Sequence, residues 1–552
     1  MKHFFYSILL CLVFSIGLQA QIPLNLGGGT QGFGTGWDDA SSITYDTQEN
    51  IYVTGYFSSD SIRFGNIILY NQGAADMYIV KYDLGLAVQW AISVGGSGNE
   101  YGMGITADSS SNLVVVGNFE SSSIVMGNDT LTNLSAGTPD MFIARIDVNG
   151  NFLWARREGT TNWDNCSSVD MNPWNGDIYV AGSYYLDDMM IGTDTFPNRG
   201  GYDMILMKFD LVGNYIWARD AGGNFNDLGN GVCYDNNGYA YVSGGFASDT
   251  LNFPGDTLIN PMMGMPDIFV VKYDQSGNYL WSRRAGSIDN DHSVSVDTDG
   301  SQVYVVGHYH SSSFTFGSDT LVNQGMGDVF ILAYDSNGNP MWAKGAGGAD
   351  HDFGYHVWVD NGSRIYFSGM FMSSSITFGT FTHNNMMTGM EDLYLTMYDA
   401  FGFASGSLSG GGMGADYLSS LISNIAGIYM VGGFTSITMW NGAGGFTNTD
   451  ATGNTGDPMV LMSSIPLAVS STAVENNFSV YPNPGNGMFS FSSTEIGVVN
   501  VVVYNTLGEA VIMASNQNAK YFNIDLADQP NGIYYVQMNS GDAVSTVKVV
   551  KQ

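Results

Sequence analysis

One phrase recurs along the chain and constrains it more than any other feature. Asp76-Met77-Tyr78-Ile79-Val80-Lys81-Tyr82-Asp83 is followed seven residues on by Trp90-Ala91. The pattern returns as Asp140 to Asp147 with Trp154-Ala155, Asp203 to Asp210 with Trp217-Ala218, and Asp267 to Asp274 with Trp281-Ser282. Further copies begin at Asp328, Asp392 and Asp457. Successive first aspartates are 64, 63, 64, 61, 64 and 65 residues apart, so seven copies of one unit account for most of the 552 residues as a single assembly.

Each copy opens with a glycine pair or its remnant, then an apolar segment, then a second strand such as Ile51-Tyr52-Val53-Thr54-Gly55-Tyr56-Phe57. Apolar residues stand on both parities of these second strands, which predicts sheets covered on both faces by neighbouring sheets. The glycine inside each strand marks a bulge or the close approach of another backbone. The aspartate phrase is a third strand, and turns such as Asp147-Val148-Asn149-Gly150-Asn151 return the chain into the Trp strand as a hairpin. Between strands two and three, about 20 residues carrying Met126-Gly127 and Asp129-Thr130-Leu131 or their equivalents predict an extra small hairpin.

Four antiparallel strands repeated seven times predict an all-β chain built as a seven-bladed β-propeller over residues 21–467; a solenoid would need end caps, and no segment reads as one. The two ends complement each other instead. The seventh copy stops after Asp457 to Met462 without a Trp strand, whereas Ile22-Pro23-Leu24-Asn25-Leu26-Gly27-Gly28 matches the tail of that strand, Trp90 to Gly96. Ile22 to Leu26 is therefore expected to pair with Asp457 to Met462 and close the ring. The sixth copy has Gly406 where the Trp should be. The glycine pair, the Asp-x-x-Gly-Asn turn, the Tyr-Val-x-Gly strand and the Asp-x-Phe strand together resemble the seven-bladed propeller repeat of secreted bacterial proteins.

Residues 1–20 read as a signal peptide: Lys2 and His3 precede the apolar run Phe4 to Leu18, which is too short to span a bilayer, and Leu18-Gln19-Ala20 suits cleavage. No later segment is long and apolar enough to be a membrane span. Cys166 and Cys233 then remain, too few for a disulfide framework, and are expected as buried free thiols. A formal charge of −34 with only 17 Lys and Arg argues against nucleic acid or anionic membrane as partner.

After a Ser, Thr and Ala linker at 468–477 the pattern changes to about seven short strands over residues 478–552, a small Ig-like β-sandwich. Tyr481-Pro482-Asn483-Pro484, Val503 to Gly508, Leu526 to Pro530 before Gly532-Ile533-Tyr534, and Lys548-Val549 resemble the type A C-terminal sorting domain of the type IX secretion system. The resemblance implies handling by that machinery and a place outside the cell or on the outer-membrane surface of a Gram-negative bacterium.

There is no phosphate cradle, no Zn-spaced cysteine set and no nucleophile elbow, so no catalytic residue and no cofactor is assigned. Two constellations remain. An acidic residue follows the glycine pair in every copy: Asp38, Glu100, Asp164, Asp227, Asp291, Asp352 and Asp416. At one mouth of a central channel, seven carboxylates would attract Ca²⁺ or a cationic ligand. The other reading, which repetition in all seven copies favours, is that each accepts backbone N–H bonds from a neighbouring blade. The second constellation is histidine: His292, His308, His310, His351, His356 and His383 all fall in copies five and six, where scattered surface positions are expected over a metal site. Arg156-Arg157 and Arg283-Arg284 read as charges guarding an exposed sheet edge. The chain thus reads as a non-enzymatic binding protein for an extracellular glycan or protein, with a polysaccharide hydrolase or lyase as the alternative.

Overall fold

The structure, a computed structural model, describes residues 25–552 apart from 173–174, 361, 425, 441–444, 449–454, 465–477, 484, 494–497, 506–509, 519–520, 528, 541–542 and 552. The chain divides into two compact units, Gln21–Ile465 and one containing Pro466–Gln552. The signal peptide expected at 1–20 and the linker expected at 468–477 lie outside the described residues.

The described residues of the first unit form seven four-stranded antiparallel sheets and seven two-stranded hairpins, with no helix among them. The first sheet runs Asp38–Tyr45, Ile51–Phe57, Asp76–Tyr82 and Val88–Val94 in spatial as in chain order. Its hairpin, Ser61–Phe64 against Ile67–Tyr70, is the extra one expected between strands two and three. Every residue of Leu113–Phe119 and of Asp76–Tyr82 is buried, which is why those strands carry apolar residues on both parities. The covering faces belong to neighbouring sheets. Tyr52 and Ile79 of the first sheet share a core with Val115 and Phe142 of the second, and five further clusters join the sheets in succession. In the remaining cluster, Tyr429 and Val431 of the last sheet pack with Val53 and Val80 of the first. Burying each such side chain is worth about 1.5–3 kcal/mol, and these clusters are the main source of order in the unit.

A bulge stands at the same place in all seven first strands, between Ala40 and Ser42 or Gly102 and Gly104, for example. It pushes a carbonyl against the second strand, and the glycine there is the consequence: a Cβ on Gly117 would lie 1.9 Å from Tyr101 O, and one on Gly244 1.8 Å from Leu228 O.

The fourth strand of the seventh sheet comes from the other end of the unit: Asn25–Gln31 pairs with Asp457–Ser464, Asn25 opposite Ser464 and Gln31 opposite Met459. The partner strand is the expected one but the register differs: Asn25 and Leu26 lie opposite Ser464 and Ser463, and Met459 to Met462 are met by Gly28 to Gln31 instead of by residues 22–26. Gly28 and Gly29 pair in the ladder after a register shift at Gly27, and a Cβ on Gly29 would meet Val460 O at 2.6 Å.

At the opposite end of the sheets from the glycine pairs, the Trp strands grip their neighbours. The indole N–H groups of Trp90, Trp154, Trp217, Trp281 and Trp342 donate to Val148, Leu211, Gln275, Ser336 and Ala400 O at 3.0–3.1 Å, each in the Asp-initiated turn of the next sheet. Lys208 and Lys272 reach the same carbonyls as Trp217 and Trp281, at 3.0 and 3.1 Å. Gly406 now has a reason: the seventh sheet takes its fourth strand from Asn25–Gln31, so it has no third-to-fourth turn for a sixth Trp to hold. The arginine pairs stand on the edge strands of their sheets, as expected, and are engaged there as well. Arg157 pairs with Asp140 and Arg284 with Asp267, while Arg283 donates to Gly338 O of the next sheet at 2.7 Å. Cys166 and Cys233 are free and buried, and burial pushes both thiols up.

In the second unit, Phe478–Tyr481, Met488–Ser493 and Tyr521–Asp525 form one antiparallel sheet. Ala510–Asn518, Val498–Tyr504, Gly532–Ser540 and Ala543–Lys551 form another. Phe489, Phe491 and Phe522 of the first share a core with Val501, Val503, Val536 and Val549 of the second.

Candidate functional site

The seven acids begin the seven first strands and are all buried, at most 1 % exposed. Their partners are a hydroxyl and backbone N–H groups. Ser248 donates its hydroxyl to Asp227 at 2.7 Å and its N–H at 3.2 Å; Ser311, Ser373 and Ser436 do the same for Asp291, Asp352 and Asp416. Asp38 is bonded in the same way by Ser59, and Glu100 by the N–H of Ser121 at 3.2 Å. These serines follow the second strand of the same sheet, so the acid ties its own sheet first. The neighbouring sheet contributes through the glycine-pair crossover: Gly96 N–H reaches Glu100 at 2.7 Å and Gly348 N–H reaches Asp352 at 2.9 Å. The third sheet departs from this scheme, with Leu186 in the serine position and Thr160 of the crossover bonded to Asp164 instead.

A second acid faces each crossover. Asp76, Asp140, Asp203, Asp267, Asp328 and Asp392, which open the third strands, accept a backbone N–H on Oδ2 or an arginine and have an unpartnered, buried Oδ1. That oxygen explains the first glycine of the pair, since a Cβ on Gly95 would lie 2.0 Å from Asp76 Oδ1; the serine explains the second, since one on Gly223 would lie 2.6 Å from Ser248 Cβ. Burial pushes Asp38, Asp76, Asp203, Asp352 and Asp392 up to about 6, and Asp164, Asp227, Asp267, Asp328 and Asp416 up to about 7, against hydrogen bonds that pull most of them down. Glu100, Asp140 and Asp291 are raised for the same reason.

One residue further along the first strands uniformity ends. The positions after the acids are Asp39, Tyr101, Asn165, Leu228, His292, Phe353 and Tyr417, opposite Tyr56, Asn118, Ser183, Gly245, His308, Met370 and Gly433 on the second strands. Part of this rung, with residues next to it, lines a hollow of about 370 Å³ among the fifth, sixth, seventh and first sheets, walled by Trp37, Tyr355, Met370, Glu391 and Tyr417. Trp37 is 49 % exposed. The Tyr417 hydroxyl bonds the Asp39 carboxyl, which burial pushes up to about 7 against that bond. Tyr355 feels the charges of both Glu391 and Asp39. Aromatic faces beside carboxylates can stack on and hydrogen-bond a sugar ring, or hold a cation.

Four of the six histidines are not scattered. His292, His308, His310 and His351 form a row whose successive ring centroids are 5.4, 5.7 and 5.4 Å apart, and Phe353 touches His308 at 4.6 Å and stacks with Tyr355 at 6.2 Å. His383 bonds Ser407 and His356 lies apart, its ring buried. His292 and His308 face each other across two strands, a signal that becomes visible once the register is known. Among the described residues, no group of three or more His, Cys, Asp or Glu side chains converges on a metal-sized point as it stands. No described helix is long and apolar enough to cross a membrane.

In the second unit the recognised motif residues tie its end together. Asn483 accepts the Val550 N–H at 2.9 Å, and the Tyr534 hydroxyl donates to Pro530 O at 2.6 Å. Tyr481 pairs with Ser490, Gly532 with Lys551 and Lys548 with Tyr535 through the backbone, and Pro482 adjoins Gly485. Pro484 and Gly508 lie outside the described residues.

Comparison with known proteins separates the two units. An uncharacterized WD repeat-containing protein of Acanthamoeba polyphaga mimivirus is 24% identical over 363 residues, 53% of this chain and 26% of its own. The regulatory protein FlaEY of Caulobacter vibrioides is 24% identical over 335 residues, 56% of this chain and 34% of its own. The chain thus spans about a quarter and a third of the lengths of these relatives. Among solved structures, the Pan2 WD40 domain of Neurospora crassa aligns with 81% of this chain and 98% of its own at 9% identity and a TM-score of 0.35, so the fold rests on the sheets described above. The tail is matched directly: residues 479–552 fit the family of secretion system C-terminal sorting domains, which marks the protein as secreted or displayed at the cell surface.

Proposed function

We propose that the protein is an exported seven-bladed β-propeller that binds an extracellular glycan or protein through the mouth at which its first strands begin. The observation that carries this reading is the contrast between adjacent rungs: seven alike, buried acids, then seven partly exposed residues of six different types beside an aromatic hollow. Stacking walls with carboxylates in reach suit a carbohydrate best. The tail, read as an Ig-like sandwich recognised by type IX secretion machinery, and the leader at 1–20 would take the chain to the outer-membrane surface of a Gram-negative bacterium or into the medium. The seven acids are read as structural, with Ca²⁺ unnecessary, because their oxygens already accept hydroxyl and N–H groups.

A glycan array probed with residues 21–467 tests the binding reading: the parent should bind a defined set of glycans, and Trp37→Ala should lose at least tenfold in affinity. Binding unchanged in that variant, or absent for every glycan and surface protein tried, would remove the hollow as the site. A second reading rests on Asp39, whose raised proton affinity, with Glu391 acting on the same Tyr355, resembles the acid and base that polysaccharide cleavage needs. Release of reducing or unsaturated ends by the parent and not by Asp39→Asn would favour it. Ring closure is tested by deleting residues 25–31, which should lower the midpoint of the whole unit in one cooperative step; an unchanged melt would contradict it.

A further inference from the structure

The row of histidines stands at the junction of the fifth and sixth sheets, and no step of the binding reading uses it. His292 and His308 face each other across two strands, His310 follows at the strand end, and His351 enters from the next sheet, where it bridges to Gly327 through the backbone. All four are only partly buried, so solvent reaches the row. Two imidazoles bound tetrahedrally to one ion at about 2.0–2.1 Å would have ring centroids about 5 Å apart, close to the 5.4–5.7 Å between successive members here.

The nitrogens are prepared as well as placed. His310 Nδ1–H donates to Met326 O at 2.8 Å, the arrangement that leaves the Nε2 lone pair free for a ligand and fixes the ring. The Nδ1 atoms of His308 and His351 are buried and unpartnered, a cost that a bound cation would relieve.

We propose that His292, His308, His310 and His351 form a site for one divalent transition-metal ion of borderline softness, Cu²⁺ or Zn²⁺, acquired outside the cell. Imidazole donors select this class over Ca²⁺ or Mg²⁺, which require oxygen ligands. The ion draws the rings in by rotation of their side chains, since the nitrogens do not yet meet at one point. The site does not depend on a glycan ligand.

The test is electron paramagnetic resonance of the full chain titrated with Cu²⁺ at neutral pH. One equivalent should bind with superhyperfine structure from three or four nitrogens, Zn²⁺ should compete and Ca²⁺ should not. His308→Gln combined with His310→Gln should weaken binding at least a hundredfold, while His383→Gln, outside the row, should bind as the parent does. A folded double variant that binds within threefold of the parent would overturn the proposal. If that variant does not fold, His310→Gln with His351→Gln takes its place under the same criterion. A parent spectrum without nitrogen coupling would overturn it with no variant at all.

Discussion

The rung of acids and the rung beside it lie one residue apart on the same seven strands, yet they have opposite characters. Asp227 and its six counterparts are buried; six are bonded by the loop after their own second strand and Asp164 by Thr160 of the crossover. Leu228 and its counterparts are of six residue types in seven sheets, tyrosine alone occurring twice, and are partly exposed. Repetition at the first rung marks what each sheet needs to dock on the next, because the same junction is built again and again. Divergence at the second marks positions the sheet junctions leave free, and there the aromatic hollow and the histidine row have formed. The difference teaches that within a repeat protein the departures from the repeat, more than the repeat, are where a ligand should be sought.

The largest effect should come from breaking the repeated side of that comparison at its tightest point. Gly244→Ala places a Cβ 1.8 Å from Leu228 O, where backbone faces backbone, and should cost about 3 kcal/mol in urea unfolding. A cost below 1 kcal/mol would mean that the bulge relaxes and the close approach is not required. The Trp grip should matter less: Trp217→Phe loses the bond to Gln275 O and about 1–2 kcal/mol, whereas Gly406→Trp should gain nothing, because the seventh sheet offers no turn to receive it. A stabilised Gly406→Trp variant would refute that explanation of the exception.

A subtler effect is pH. The junction acids are raised from about 4 to about 6 or 7 by burial, so between these values the folded chain holds protons that the unfolded chain has shed. Their contribution is complete at lower pH and is lost as pH rises through 6 to 7. The exposed turn acids Asp147, Asp274 and Asp335, lowered by bonds to their own turns, act the other way, but only as pH falls below about 4. The urea midpoint of the first unit should therefore be higher at pH 5 than at pH 8. A midpoint that rises between these values would show that the junction carboxylates are ionised and stabilised by their partners.

Much of the frame was legible in the sequence. Double-faced apolar strands, glycine inside the second strand, the extra hairpin and the partner of the N-terminal segment all follow from period and pairing chemistry. What was not legible depended on register across strands or between sheets. The serines at 59, 121, 248, 311, 373 and 436, each two residues after an aromatic that ends the second strand, were a repeated signal for the acids' partners and pass unnoticed when the acids are read as a ring of charges. Arg157 and Arg284 are legible as edge charges, but their pairing with Asp140 and Asp267 is not. The histidines look scattered because His351 reaches the others only through the packing of two sheets.

The central claim is that the acid rung holds the sheet junctions while the rung beside it is free to serve a ligand, and two neighbouring residues of one strand test it. Urea unfolding of Asp227→Asn and Leu228→Ser measures both rungs in the same place. Asp227→Asn puts an amide NH₂ where an oxygen accepts from Ser248 and should lose about 2 kcal/mol, with or without Ca²⁺. Leu228→Ser should lose no more than about 0.5 kcal/mol, as a partly exposed position does. Equal losses at the two positions, or a larger loss at Leu228, would contradict the account.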